Sequence, residues 1–151
     1  MPDVSEIKTE EQQFEMLSRL AQALVQAVSP KIVEEGTFMP LGGILVAGPQ
    51  VMLVNVQAKS EVEVTPDMLL PGVHKAIQQQ APNLLSEAVA TATPARIDLG
   101  QGDMPAVKVV AEHRDGLCAQ FHVPWSRTEG GQLQMHAADA EEVDAEIADW
   151  R

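Results

Sequence analysis

The chain has 151 residues, of which 45% are apolar and only 3% aromatic, and its formal net charge is −12 at pH 7. This length suits one domain whose buried core is built mainly from aliphatic side chains. The acidic excess disfavours binding to nucleic acid or to an anionic membrane, because both need Lys and Arg, and it favours a basic protein partner.

The cysteine content and the N-terminal sequence point to a protein of a reducing compartment. Cys118 is the only cysteine, so an internal disulfide cannot form. The first residues lack the basic and apolar regions of a signal peptide, and no apolar run reaches about 18 residues. We therefore predict a cytoplasmic protein with a flexible N-terminus over residues 1–8 and a single domain over residues 9–151.

The first predicted element is a helix with a plausible N-cap at Thr9 and acidic residues in its first turn. Pro30 stops or kinks this helix, and Gly36 ends it. Apolar side chains at offsets of three and four predict one buried stripe, formed by Phe14, Leu17, Ala21, Leu24, Val25 and Val28.

Two apolar runs, residues 38–47 and 51–58, flank Gly48-Pro49-Gln50 and predict an antiparallel hairpin. Pro40 and the pair Gly42-Gly43 indicate that the first strand begins at an edge or contains a bulge. Thr65-Pro66-Asp67 resembles an N-cap, but Pro71-Gly72 interrupts the pattern, so we expect a turn and then a helix over residues 71–80.

Three further strands are predicted in the second half of the chain. Alternation over residues 89–99, with Pro94 near the centre, indicates a bent strand. Residues 106–124 predict a hairpin with a three-residue loop, Arg114-Asp115-Gly116, because a two-residue loop would scatter the apolar side chains over both faces. The three-residue loop pairs Ala111 with Ala119, Val109 with Phe121 and Val107 with Val123.

The C-terminal region predicts a short strand over residues 133–135 and then an acidic helix over residues 139–150. Asp139 and Glu142 have the spacing of a capping box, and a thin apolar stripe follows. This helix either covers the sheet of its own domain or docks on a basic partner. Together the elements predict an α+β two-layer sandwich, with helices on one face of a mainly antiparallel sheet of five or six strands.

Catalytic and metal-binding patterns are sparse. Cys118 and His122 share a strand face but lie about 13 Å apart, which is too far for a nucleophile and its base. Glu112, opposite Cys118, should raise the pKa of the thiol. The four histidines lie on different elements without metal-ligand spacing, and no phosphate-binding glycine motif occurs, so we predict no metal site and no cofactor.

One polar group remains as a candidate binding site on the predicted hairpin. It consists of Glu112, Arg114, His122 and Trp125. The functional interpretation is a small polar site on the open side of the sheet. The alternative is a solvated hairpin face with cross-strand charge pairs, each worth roughly 0.2 to 1 kcal/mol.

The segments Phe38-Met39-Pro40-Leu41-Gly42, Ala111-Glu112-His113-Arg114-Asp115-Gly116 and Val123-Pro124-Trp125 resemble a pattern of small uncharacterised bacterial proteins. The resemblance covers about residues 38 to 125 and implies a compact fold without a known activity. The arrangement of helices around a sheet is also similar to the dimeric chaperones of bacterial type III secretion. The order departs from theirs, with two strands before the middle helix and three or four after it.

These observations favour a non-catalytic protein-binding or accessory role, with a basic protein as partner. Two alternatives stay open. One is an acidic, dimeric, secretion-type chaperone, which requires a homodimer with exposed apolar patches. The other is a small-molecule enzyme that uses the polar face of the 106–125 hairpin.

Overall fold

The computed structural model describes residues 9–46, 50–54, 66–80, 86–98, 102–136 and 139–144, together with Ile147. The predicted flexible segment 1–8 lies outside these residues. Within them are two helices and seven strands: α1 (Glu10–Glu35), β1 (Leu41–Val46), β2 (Gln50–Val54), α2 (Pro66–Gln80), β3 (Ser86–Asp98), β4 (Asp103–His113), β5 (Cys118–Arg127), β6 (Leu133–Met135) and β7 (Asp139–Glu142).

All strand pairs are antiparallel, and the sheet order is β2-β1-β3-β4-β5-β6, with β7 also paired to β5. The predicted α+β class with an antiparallel sheet is confirmed, and the sheet has seven strands instead of five or six. Neither described helix is long and apolar enough to cross a membrane.

The ends of α1 follow from its capping residues. The Thr9 side chain accepts a hydrogen bond from the Gln12 backbone, and the Gln12 side chain accepts one from the Thr9 backbone, which completes a capping box. Gly36, with φ 75°, donates its N–H to the Ile32 carbonyl. The helix continues through Pro30. The predicted stripe is buried except at Phe14, which is 43% exposed.

The two helices pack on opposite faces of the sheet, so the expectation of helices on one face is wrong for α2. The evidence comes from Gly42 and Gly43, because neighbouring strand residues point to opposite faces. A Cβ on Gly43 would lie 2.9 Å from Leu24 of α1, whereas one on Gly42 would lie 2.9 Å from both Val73 and Ile77 of α2. The glycines therefore mark two close helix approaches.

The β1–β2 hairpin is confirmed, but β1 is not an edge strand, because it lies between β2 and β3. The irregularity in its pairing occurs at Leu45/Val46, at the far end from the glycines. Pro94 is accommodated in β3 because β1 pairs with that strand only as far as Ala92. Beyond Ala92 the missing N–H of Pro94 interrupts no β1 ladder.

The predicted start of the second helix is wrong. α2 begins at Pro66 and continues through Pro71, so Pro71-Gly72 does not form a turn. Burial of Val73 and Ile77 against the sheet, in the space that Gly42 leaves, accompanies this continuation. Thr65, the predicted N-cap, lies outside the described residues.

The β4–β5 hairpin has the predicted register: Val107 pairs with Val123, Val109 with Phe121 and Ala111 with Ala119. Gly116 has φ 120°, which only glycine adopts without strain. Its N–H donates to the His113 carbonyl, and His113 N–H donates to the Leu117 carbonyl. The turn is thereby closed over three residues, as the alternation predicts.

The predicted acidic helix over residues 139–150 is contradicted where the structure describes it. Residues 139–142 form the strand β7, which pairs with Ala119–His122 of β5, and Val143 N–H donates to the Cys118 carbonyl. The open edge of β5 satisfies the backbone groups of this segment, and that outweighs its helical sequence pattern. Residues 145–146 and 148–150 lie outside the described residues. The predicted strand 133–135 is confirmed as β6.

Candidate functional site

The structure does not bring the four predicted site residues together. Trp125 packs in the core on the α1 face of the sheet, whereas Glu112 and His122 point to the α2 face. Arg114 is exposed in the hairpin turn, where its backbone N–H donates to the Glu87 carbonyl. A pocket that uses all four side chains is therefore not formed.

The predicted open, polar face of the hairpin is covered at Glu112, which is fully buried. Its Oε2 accepts the backbone N–H of Ile147 at 2.7 Å. The Ile147 carbonyl accepts a hydrogen bond from Gln78 Nε2, also at 2.7 Å. Ile147 is itself fully buried among apolar residues of α2 and the sheet. The hydrogen bond from Ile147 to Glu112 thus holds Ile147 against the sheet.

Cys118 is buried opposite Glu112 and is poorly suited to act as a nucleophile. Burial first, and then the charges of Glu112, Asp144 and Glu142, together raise the pKa of the thiol to about 11. The predicted direction is confirmed, although burial contributes more than Glu112. At neutral pH the side chain is a protonated thiol.

His113 belongs to the junction between α1 and the hairpin turn. Its Nδ1 accepts the Asp115 backbone N–H at 3.0 Å, and its Nε2 lies 3.3 Å from Met16 Sδ. Gln13 Oε1 accepts the Leu117 N–H at 2.9 Å in the same junction. In the part of the chain that the structure describes, no three His, Cys, Asp or Glu side chains gather to hold a metal ion.

A concave surface lies between α1 and the outer strands of the sheet. A cavity of about 430 Å³ opens there. Its floor is apolar, and its rim on α1 carries uncharged polar side chains. The lining residues are Ser18, Ala21, Gln22, Val25, Gln26, Ser29, Phe121, Val123 and Met135.

A second cavity, of about 410 Å³, continues along the same side of α1 toward its N-terminus. The rings of Phe121, which lines the first cavity, and Phe14, which lines the second, have their centroids 5.7 Å apart. We call the two cavities together the α1–β5 groove. Residues that line the second cavity are Glu10, Glu11, Phe14, Leu117, Ala119, Ala140, Glu141 and Glu142.

The second cavity makes one end of the groove acidic. Four exposed glutamates line it, and none of its described lining residues is Lys or Arg. Glu10 and Glu11 come from the first turn of α1, and Glu142 lies on the same sheet face as its partner Ala119. Glu141 also lines the cavity, but its carboxylate turns to the α2 face, where it accepts a hydrogen bond from Gln120. An apolar floor therefore leads into a region of negative charge.

The groove was missed in the sequence because its two walls are distant in the chain. One local signal was present on α1: Ser18, Gln22, Gln26 and Ser29 form an uncharged polar stripe beside the apolar one. The sequence of β7 gave no indication of the groove, because its pattern predicts a helix. Searches of family models, of curated proteins and of solved structures with this chain return no match.

Proposed function

We propose that the protein is a non-catalytic accessory protein that binds an extended segment of a basic partner protein in the α1–β5 groove. The observation that carries this proposal is that an apolar cavity and a cavity lined by glutamates follow one another along the same side of α1. The segment that fits this surface has apolar side chains along most of its length and Lys or Arg at one end.

Charge and burial contribute differently to such binding. Burial of apolar side chains contributes about 25 cal/mol per Å² of area removed from water, so the groove floor supplies most of the affinity. Exposed ion pairs contribute little each, but a net charge of −12 speeds encounter with a basic partner and sets its orientation. Phe14, exposed at the middle of the groove, is the expected anchor residue.

The enzyme alternative is not supported, because the four residues of its predicted site do not form one pocket. Two point to the α2 face of the sheet, one packs on the α1 face and one lies in the hairpin turn. The chaperone alternative would use the same groove for an extended client and additionally requires a homodimer. The sequence-based resemblance to bacterial proteins and the cytoplasmic location remain predictions beside this proposal.

A pair of labelled peptides tests the proposal by fluorescence anisotropy. One peptide alternates Leu and Ser and ends in three Lys residues, and the other ends in three Glu residues. We expect the Lys peptide to bind at least about tenfold more tightly and its affinity to fall with salt. Equal binding of the two peptides, or no binding of the Lys peptide, would refute the proposal.

Two variants localise the binding. Gln22→Arg adds bulk and positive charge on an exposed position of the groove rim, and we expect it to weaken the Lys peptide about tenfold. Glu34→Gln changes the net charge by the same amount at an exposed position of α1 outside the groove lining, and we expect no change. Equal effects of the two variants would mean that binding follows net charge alone.

A further inference from the structure

We propose that the open edge of β2 binds the β2 edge of a second copy of this chain, so that the two sheets join into one continuous sheet. This inference goes beyond the proposed function, because it uses the opposite edge of the sheet from the α1–β5 groove. β2 stands at the end of the strand order and pairs only with β1 among the described strands.

The exposed apolar side chains of β2 point to both faces of the sheet. Met52 is 40% exposed and pairs with Ile44, which packs in the core on the α2 face. Leu53 is 50% exposed and pairs with Gly43, which lies against α1. A partner on one face would cover one of these residues, whereas a strand added at the edge covers both.

The distribution of charge indicates that the strand added at the β2 edge is β2 of a second copy. β2 has the sequence Gln-Val-Met-Leu-Val, without a charged residue, in a chain whose net charge is −12. Two copies repel one another over most of their surfaces, and this repulsion is weakest where neither copy carries charge. Natural edge strands that stay unpaired commonly carry Lys, other charges or Pro, and β2 has none of these.

The five residues of β2 also allow a symmetric pairing. In an antiparallel arrangement about a two-fold axis at Met52, each Met52 lies opposite Met52 of the partner subunit, and Leu53 lies opposite Val51 of the partner subunit. Every side chain in the two paired strands is then apolar except Gln50. The backbone groups along the edge gain partners at the same time.

Sedimentation equilibrium of the full chain, up to about 200 µM, tests the dimer. We expect a reversible monomer–dimer equilibrium that tightens with added salt, because salt screens the repulsion between two acidic copies. Leu53→Lys should weaken the dimer at least about tenfold. Val33→Lys, an equally exposed apolar position on α1, should leave it unchanged. A chain that stays monomeric, or a dimer that resists Leu53→Lys, overturns the proposal.

Spin labels test the register. In a Cys118→Ser background, a nitroxide on Met52→Cys should show strong dipolar broadening, because paired α-carbons lie about 5 Å apart. A nitroxide on Glu34→Cys should show none. A dimer without broadening at position 52 refutes the β2 pairing. Leu53→Lys should leave Lys-peptide binding in the groove unchanged, so failure of this proposal is distinguishable from failure of the proposed function.

Discussion

The two edges of the sheet differ in both charge and cover. β2 offers five uncharged residues at one edge, two of them exposed and apolar. At the other edge, β6 and β7 share the outer side of β5, and β7 places three acidic residues among its four. Because charged edge strands resist pairing with other chains, this fold opposes self-association at one edge only.

We expect the largest change in the free energy of unfolding from a substitution at Ile147, which packs near the edge formed by β7. Ile147→Ala removes a fully buried side chain that closes the α2 face near β7, and we expect a loss of about 3 kcal/mol in the free energy of unfolding. Urea denaturation measures it, with Val33→Ala, at a half-exposed site, as the matched control. A loss below about 1 kcal/mol would show that this segment is not part of the core.

A smaller loss is expected at the uncharged edge. Gly42→Val places new atoms against Val73 and Ile77, and the crowding should cost about 2 kcal/mol in the free energy of unfolding and separate α2 from the β1–β2 hairpin. Gly130→Val, at an exposed turn position with only Thr128 nearby, should cost little. Equal stability of the two variants would contradict the close approach of α2.

Cys118 reports on the closure of the charged edge through its pKa. The folded pKa of about 11 lies above the ordinary thiol value of 9.0, so the unfolded chain loses the proton first and stability falls as pH rises from about 9 to about 11. Below pH 9 this contribution is fully retained. Reaction with a disulfide reagent should therefore be slow at pH 8 and rise steeply near pH 11. A rate like that of the denatured chain at pH 8 would mean that the edge is open.

The smallest effect on stability is expected from neutralising β7. Asp139→Asn, Glu141→Gln and Glu142→Gln together should change the free energy of unfolding by less than about 0.5 kcal/mol, because all three side chains are exposed. In a Leu53→Lys background they should nevertheless promote association, measured by sedimentation. Neutralising Glu34, Glu35 and Glu129, which are exposed away from β7, is the matched control. If the β7 variant stays monomeric like the control, the charges of β7 do not prevent self-association at this edge.

Elements whose signals are local were predicted well. The Thr9 cap and Gly36 define α1 within the helix itself, and the hairpin register follows from alternation around Gly116. In both cases the deciding interactions lie within a few residues of the signal, so tertiary packing had little to override.

Elements decided by distant partners were not predicted. β7 has a helical capping pattern, and only the unfilled edge of β5, about twenty residues earlier, makes it a strand. The second helix was placed on the wrong face, although consecutive Gly42 and Gly43 carried the signal, because neighbouring residues without side chains admit a helix from each side. The predicted site residues were also misjudged because of a distant partner. Glu112 was expected on an open face, but it is covered by Ile147, thirty-five residues away.

The anchoring of α1 at both ends has a consequence for what the groove selects. Gln13 holds its first turns to Leu117, and Arg127 donates to the carbonyls of Ile32 and Val33 at its other end. The helix is thus held at both ends, and its lining residues from Glu10 to Ser29 span about 28 Å at 1.5 Å per residue. Extended chain covers that distance in about nine residues. Under the proposed function, the fixed helix therefore sets the length of the bound segment, and its basic end and last apolar side chain are expected to lie that far apart.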